Sequence, residues 1–483
     1  MSMTQGVEPL PAKYEGTEQE KMELVQQMMD GVQLVAAAEA MHLASKFGLN
    51  LEEIYATVAN SAGTSTMFKT RVPNMLKPGS KPTGRTLQEA YESLSKAVQV
   101  ARRPSFYFNA PVATAAEQVL LGAVGAGLGK EEDSSVWKFW QLFGGDNLSK
   151  TAPPSANVAD ELRALNLPRP GRVAFIGMGS MGLGMATILH KAGYDVIGFD
   201  SYAPCMENFK KAGGKTASSA KEAAKDADCI VFMPVLLSQC ESCLFDEEAI
   251  TTLKKDATVV LCSTCAPTDT RRLGERIKQY SPQMEFVDAP VSGGAVRAGL
   301  GDLIIMASSN GDGPIKKVFS VLDAFASTKG NTSNLKILCA GGLGAGNSTK
   351  AIIQYLAGTH GVAGAEVIAF AARLGLDTEK AYKMLVQNGA GFIFENRLGR
   401  VVTNSQTVES KTDIMSKDLN IVVTESRAVK LPCFLPAIAH TIVLSACAAG
   451  WIRLDDCSII NLWTKLNGDS AVGTQHRQQA LHF

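Results

Sequence analysis

The sequence predicts an α/β domain on a doubly wound, mainly parallel sheet of the Rossmann type, flanked in sequence by two related all-α domains. Three observations predict it. Strand-like apolar runs alternate with helical stretches from residue 171 to about 340, the pattern of a parallel sheet covered on both faces. The first of these runs opens directly into Gly177-x-Gly179-x-x-Gly182. The helical stretches on either side share a pattern, so that AAAEAMHLASKFGLN at 36–50 matches AGAEVIAFAARLGLD at 363–377.

Taken in order, residues 1–20 are polar and read as a disordered tail. Residues 21–146 carry Ala, Leu, Val and Met at helical spacing and read as the first helical domain. Residues 147–170 are polar and proline-rich, a linker with one short helix. In the α/β domain, 171–340, strands are expected at 172–176, 194–199, 228–233, 257–262, 285–287, 302–308 and 336–339. Residues 341–467 read as the second helical domain and 468–483 as a loose tail. The helical domains align at an offset of 327 for Glu39 and Glu366, 325 for Pro111 and Pro436, and 323 for Trp140 and Trp463. So small a drift points to two copies of one domain rather than two unrelated alanine-rich stretches.

Composition sets limits. The 483 residues include 47 basic and 47 acidic side chains, for a formal net charge of +0. Neither a basic field for nucleic acid nor an acidic tail results. The first 20 residues lack the apolar core of a signal peptide, and no run of about 18 apolar residues reads as a membrane span. The expectation is a cytoplasmic protein with neither nucleic acid nor membrane as partner. Cys240-x-x-Cys243 and Cys262-x-x-Cys265 invite a zinc reading. It is rejected, because Cys262 ends an apolar run and the first pair lies on a helical stretch without turn residues. No metal is expected, and reduced thiols fit better.

The glycine turn is the most specific feature. Gly177 permits a tight turn, Gly179 lets a pyrophosphate approach the backbone, and Gly182 lets the helix pack close to the strand. The turn residues Gly177, Met178, Gly179, Ser180, Met181 and Gly182 then present N–H groups at a helix N-terminus, where phosphates bind. Asp200 ends the second apolar run, about 18 residues past Gly182, where an acid accepts ribose hydroxyls. A carboxylate there repels the extra phosphate of NADP, so NAD is the expected cofactor.

Three further clusters carry chemistry. Ser292-Gly293-Gly294 follows the strand expected at 285–287, offering a hydroxyl and accessible N–H groups suited to a carboxylate; on the residues alone an ordinary turn reads equally well. Gly344-Ala-Gly346-Asn347-Ser348-Thr349-Lys350 opens a long apolar helix, with Asn347 or Ser348 as its expected cap. Lys350 and Gln354, four apart, share one face of it. A lysine in a dry site beside a cationic nicotinamide has its ammonium form disfavoured, which suits proton exchange with a hydroxyl. A structural lysine that snorkels remains the alternative. Lys417-Asp418 reads as the start of another helix, either facing the crevice or simply solvated. His360 lies roughly 80° off the Lys350 face and is given no catalytic role.

Residues 171–467 resemble the β-hydroxyacid dehydrogenase family, which includes the 3-hydroxyisobutyrate, tartronate semialdehyde and threonate dehydrogenases. The matching stretches are FIGMGSMGLGMA (175–186), STCAP (263–267), DAPVSGGAVRAGLGDL (288–303), GAGNSTK (344–350) and SKDL (416–419). The resemblance implies an NAD-dependent oxidoreductase acting on a small hydroxy acid. It implies that Ser292, Gly293 and Gly294 bind the substrate carboxylate and that Lys350 is the acid/base. It places Lys417 near nicotinamide and substrate, and Ser263 and Thr264 on the nicotinamide side of the cofactor. Many members carry Asn where this chain has Gln354; Gln is similar to the threonate dehydrogenase branch and implies a four-carbon sugar acid such as L-threonate, oxidised to the oxo acid. The alternatives are 3-hydroxyisobutyrate dehydrogenase, a glyoxylate or succinic semialdehyde reductase, or a catalytically silent NAD-binding assembly module. In the first helical copy, Lys350 maps to Glu23, Gln354 to Gln27, and Lys417 and Asp418 to Glu92 and Ser93. That copy is expected to be silent and to pack on the second within the chain, as family members pack when they form homo-oligomers; a remnant of a tandem enzyme is the compatible alternative.

Overall fold

The computed structural model describes residues 14–104, 106–150, 158–326, 335–337 and 341–473. Residues 1–13 and 474–483 of the expected tails, 151–157 of the linker and 338–339 of the last expected strand lie outside the described residues. The chain forms two compact units that do not follow chain order. One takes the described residues of Met1–Leu43, Val58–Thr151 and Gln354–Phe483, and the other those of Ala44–Thr57 and Ala152–Ile353.

The α/β unit has the expected fold. Strands β1 (Arg172–Ile176), β2 (Asp195–Phe199), β3 (Lys215–Thr216), β4 (Cys229–Phe232), β5 (Thr258–Leu261) and β6 (Glu285–Asp288) pair in parallel in the order β3-β2-β1-β4-β5-β6. Both faces are buried, as the continuous apolar runs require. Along β1, Val173 and Phe175 join one hydrophobic cluster while Ala174 and Ile176 join another, as alternating side chains dictate. The strand order reverses between β1 and β4, and ligand crevices form at the carboxyl ends of strands at such a point. A second sheet joins β7 (Val291–Ser292), β8 (Ile304–Ala307) and β9 (Leu335–Ile337), with β7–β8 antiparallel and β8–β9 parallel. Strands β3 and β7 were not expected; at two residues each they are too short for alternation to show.

The helical unit is built on matching halves. Each half is led by a helix of 29 residues, Glu18–Lys46 and Ala345–Arg373. Glu39 accepts from the N–H groups of Phe434 and Leu435, at 2.9 and 3.2 Å, at the start of the Phe434–Ala448 helix. Glu366 accepts from the N–H groups of Val112 and Ala113, at 3.0 and 2.9 Å, at the start of the Pro111–Ala123 helix. Trp140 donates to the Pro432 carbonyl and Trp463 to the Asn109 carbonyl. Each contact thus occurs twice with the halves exchanged, the arrangement of a self-complementary interface. Within the halves, the Arg71–Asp133 ion pair has its counterpart in Arg397–Asp456, and the bridge Thr86–Glu132 in Lys411–Asp455.

Two expectations need correction here. Pro111 does not correspond to Pro436: the helices begin at Pro111 and Phe434, the 323 offset of the tryptophans, because proline is tolerated at more than one position of a first turn. One stretch, Pro111–Leu128, is long and apolar enough by length and composition to cross a membrane. It holds the buried Glu117, paired with Arg102 at 3.1 Å and accepting from Ser95, and Glu366 caps its start.

Candidate active site

The glycine turn lies at the end of β1. Gly177 has φ +90°, and a Cβ there would come within 2.7 Å of the Pro234 nitrogen. A Cβ at Gly182 would meet the Gly177 carbonyl oxygen at 1.9 Å, so only glycine lets the Ser180–Lys191 helix approach the strand. A Cβ at Gly179 would meet nothing within 4 Å. Two glycines are thus demanded by packing, while the third leaves open space at the helix N-terminus, as a pyrophosphate needs. Asp200, just past β2, accepts from the N–H of Met178 at 2.7 Å and of Tyr202 at 2.8 Å. Its carboxylate therefore also holds the turn, a role that spacing alone does not reveal. Each oxygen retains a lone pair for a hydroxyl donor. These residues fit a dinucleotide. Ser180 and Met181 open the helix.

At the carboxyl ends of β5, β6 and β8 the chain ties down the start of the 345–373 helix. Asn347 is not the helix cap. It sits inside the first turn, and its side chain reaches back to the sheet, donating to Asp288 Oδ1 at 2.6 Å and accepting from the Cys265 N–H at 2.8 Å. Its own N–H donates to Asp288 Oδ2 at 2.9 Å, and Ser308 donates to the same oxygen. Burial pushes the Asp288 carboxyl up to about 7, opposed by these donors. A Cβ at Gly346 would lie 2.2 Å from the Met306 carbonyl oxygen, so this contact also needs glycine. The network fixes the helix start, and Lys350 follows in the next turn, 6% exposed. In the sequence Asp288 stands only as a motif position and Asn347 as a candidate helix cap; their mutual hydrogen bonds depend on a sheet and a helix far apart in sequence.

In the same unit Ser292 lies in β7 and is buried, followed by Gly293 and Gly294 with φ +150° and +77°. A Cβ at Gly294 would enter open space. Ser263 is buried and donates to the Pro234 carbonyl at 2.6 Å; Thr264 follows it beyond β5.

In the helical unit Lys417 and Asp418 do not start a helix. They lie in its second turn, Thr412–Ala428, and Asp418 is 6% exposed rather than solvated. Gln354 donates through Nε2 to Asp418 Oδ2, and Lys417 Nζ lies 3.0 Å from Oδ1. Gly358 explains the close approach: a Cβ there would lie 2.7 Å from Leu419 Cδ2. His360 is fully buried, and burial pulls its pKa down to about 4, so it stays neutral. A cavity of about 520 Å³ between the Pro111–Ala123 and Phe434–Ala448 helices is lined by Val119, Phe139, Phe434 and Ile438 and holds none of these residues.

Residues 172–341 match the NAD binding domain of 6-phosphogluconate dehydrogenase. The NAD-binding domain of NADP-dependent 3-hydroxyisobutyrate dehydrogenase matches twice, over 19–140 and over 344–463. The chain is 35% identical over 296 residues to L-threonate dehydrogenase of Pectobacterium atrosepticum, covering 60% of this chain and 93% of that protein. It is 34% identical over 297 residues to the L-threonate dehydrogenase of Escherichia coli K12, covering 60% and 94%. Among solved structures, 3-hydroxyisobutyrate dehydrogenase from Salmonella typhimurium is 32% identical with a TM-score of 0.56, covering 60% of this chain and 99% of that one. A glycine turn shaped for a dinucleotide, a buried lysine fixed from the sheet, and relatives matched over nearly their whole length place this chain in the 3-hydroxyisobutyrate dehydrogenase-like family of NAD(P)-dependent oxidoreductases.

Proposed function

We propose that this chain oxidises L-threonate to its oxo acid with NAD, and that Lys350 is the catalytic acid/base. The observation that carries the reading is the buried Lys350, one turn beyond an Asn347 locked to Asp288 at the sheet's carboxyl edge. A side chain anchored in that way is pre-positioned, and positioning supplies much of an enzyme's acceleration. The relatives named L-threonate dehydrogenase support the substrate.

In this reading Ser292, Gly293 and Gly294 hold the substrate carboxylate, while Gln354 and Lys417 contact its remainder. Neutral Lys350 Nζ takes the hydroxyl proton as the carbon–hydrogen bond breaks; in reverse its ammonium returns that proton to the developing alkoxide. The nicotinamide, when bound, accepts the hydride. Gly177, Met178, Gly179, Ser180, Met181 and Gly182 carry the pyrophosphate, Asp200 the ribose hydroxyls in preference to a 2′-phosphate, and Ser263, Thr264 and Lys417 border the nicotinamide. The first helical copy performs no chemistry and serves as an internal packing partner. The free thiols of all described cysteines suit a reducing cytoplasm. The similarity to 3-hydroxyisobutyrate dehydrogenase from Salmonella typhimurium makes 3-hydroxyisobutyrate the second reading.

The test is a panel of hydroxy acids with NAD⁺ and NADP⁺, read at 340 nm. The expected result is the highest kcat/KM for L-threonate with NAD⁺. A higher value for 3-hydroxyisobutyrate transfers the assignment to the second reading, and a flat trace with every acid removes both.

A further inference from the structure

We infer that Asp418 is a positioning residue that sets which way round the Gln354 amide faces a ligand and thereby favours a hydroxyl group there. The inference rests on the assignment of Gln354 to the substrate site made above. It starts from the helical unit alone. The Asp418 carboxylate is 6% exposed and can only accept hydrogen bonds in its ionised form. Gln354 meets Oδ2, and Lys417 meets Oδ1 at 3.0 Å. An amide offered to a carboxylate must present its NH₂ side, because turning it over would set oxygen against oxygen. The identity of the two amide ends is therefore fixed by chemistry rather than by assignment.

The consequence lies on the other side of the amide. With one Nε2 hydrogen committed to Asp418, Oε1 and the second Nε2 hydrogen remain, and among the described residues no donor is paired with Oε1. Oε1 accepts and never donates. A ligand group that meets it must carry a hydrogen, as a hydroxyl does and as a carboxylate or a carbonyl does not. Gln354 so held, an acceptor beside one remaining donor, favours acids with a hydroxyl beyond the one oxidised over acids bearing a methyl group at that place. The same carboxylate lies 3.0 Å from the ammonium of Lys417, an ion pair without a hydrogen bond at Oδ1.

The first helical copy shows the arrangement missing. Gln27 stands for Gln354, its Oε1 is buried without a hydrogen-bond partner, and Ser93 stands for Asp418 and donates to its own helix at the Glu89 carbonyl. Gln27 thus has no carboxylate at the position that corresponds to Asp418. The carboxylate supplies the orientation.

The experiment compares kcat/KM for L-threonate with that for a mono-hydroxy four-carbon acid that keeps the oxidised hydroxyl, 2-hydroxybutanoate or 3-hydroxybutanoate. It uses the full chain, the near-isosteric Asp418→Asn, and Gln354→Met, which leaves the Lys417–Asp418 contact in place. The expected result is that the threonate preference falls at least about tenfold in each variant, and that the double variant loses no more than the larger single loss, because both act through one contact. An unchanged ratio in Asp418→Asn overturns the inference, as does a fall in that variant but not in Gln354→Met, which would route the effect through Lys417. Equal loss on both acids marks Asp418 as structural only and also overturns it. A wild-type chain inactive on every acid removes the functional reading together with the inference, whereas an active wild type whose ratio neither variant moves removes the inference alone.

Discussion

The two helical copies share a framework and differ in what they hold at corresponding places. Both have the leading 29-residue helix, the Arg–Asp pair, the strand-like bridge and the tryptophan that reaches across. Yet where the second copy has the buried Lys350, the first has the exposed Glu23, and where the second has Lys417 beside a buried Asp418, the first has the exposed Glu92 held by Gln88. What the copies keep is what packs them together; what the first lacks is, in the proposed function, what acts on a substrate. On that proposal packing and chemistry are separable in this fold, with one half retained for the first purpose alone.

That contrast can be broken by experiment. After Lys350, the largest effect is expected at the second lysine, Lys417. Lys417→Ala should lower kcat/KM about 10- to 100-fold, the worth of a charged hydrogen bond, and Glu92→Ala should leave it within about twofold; comparable losses would mean that the first copy takes part in catalysis. Next come the crossed caps. Glu39→Ala and Glu366→Ala each leave two buried helix N–H groups without acceptors and should each cost about 1–3 kcal/mol in urea unfolding. Were Glu39→Ala harmless while Glu366→Ala is not, the first copy would be an appendage rather than a partner. Smaller still, Trp140→Phe and Trp463→Phe remove one hydrogen bond each and should cost about 0.5–1.5 kcal/mol apiece.

A pH series sharpens the same point. Burial raises Glu39 to about 7 and Glu366 to about 8 from the ordinary glutamate value of 4.5. The folded chain therefore binds these protons more tightly than the unfolded chain, and stability falls as pH rises through the window between 4.5 and 8. His360 works in the opposite sense, but only between about 4 and 6.5. Thermal unfolding should thus show a Tm that declines from pH 6.5 to 8, and Glu366→Gln should flatten that decline. An unchanged slope in the variant would assign the pH dependence elsewhere.

Much of this was legible in the sequence because single residues there answer to single constraints. Gly177 and Gly182 have no room for a side chain, so their spacing announces the turn; the apolar runs of β1, β4 and β5 announce a sheet buried on both faces. The repeat was visible because Glu39, Trp140 and their counterparts are needed at both ends of one interface. What stayed hidden depends on tertiary contact. Asp418 reads as a solvated helix acid until Gly358 brings the neighbouring helix against it. Asn347 reads as a cap until β6 offers it Asp288. That the two helical segments fold as one unit follows from reciprocal contacts no local pattern carries.

The most direct measurement of the role proposed for Lys350 is steady-state oxidation of L-threonate by Lys350→Ala beside the unaltered chain, with NAD⁺ affinity measured on both. Proton transfer by a positioned side chain contributes about 10²- to 10⁴-fold, so kcat should fall by that factor while NAD⁺ binds with nearly the same Kd. Turnover that survives the substitution, or a loss of cofactor affinity that matches the loss of rate, would contradict it.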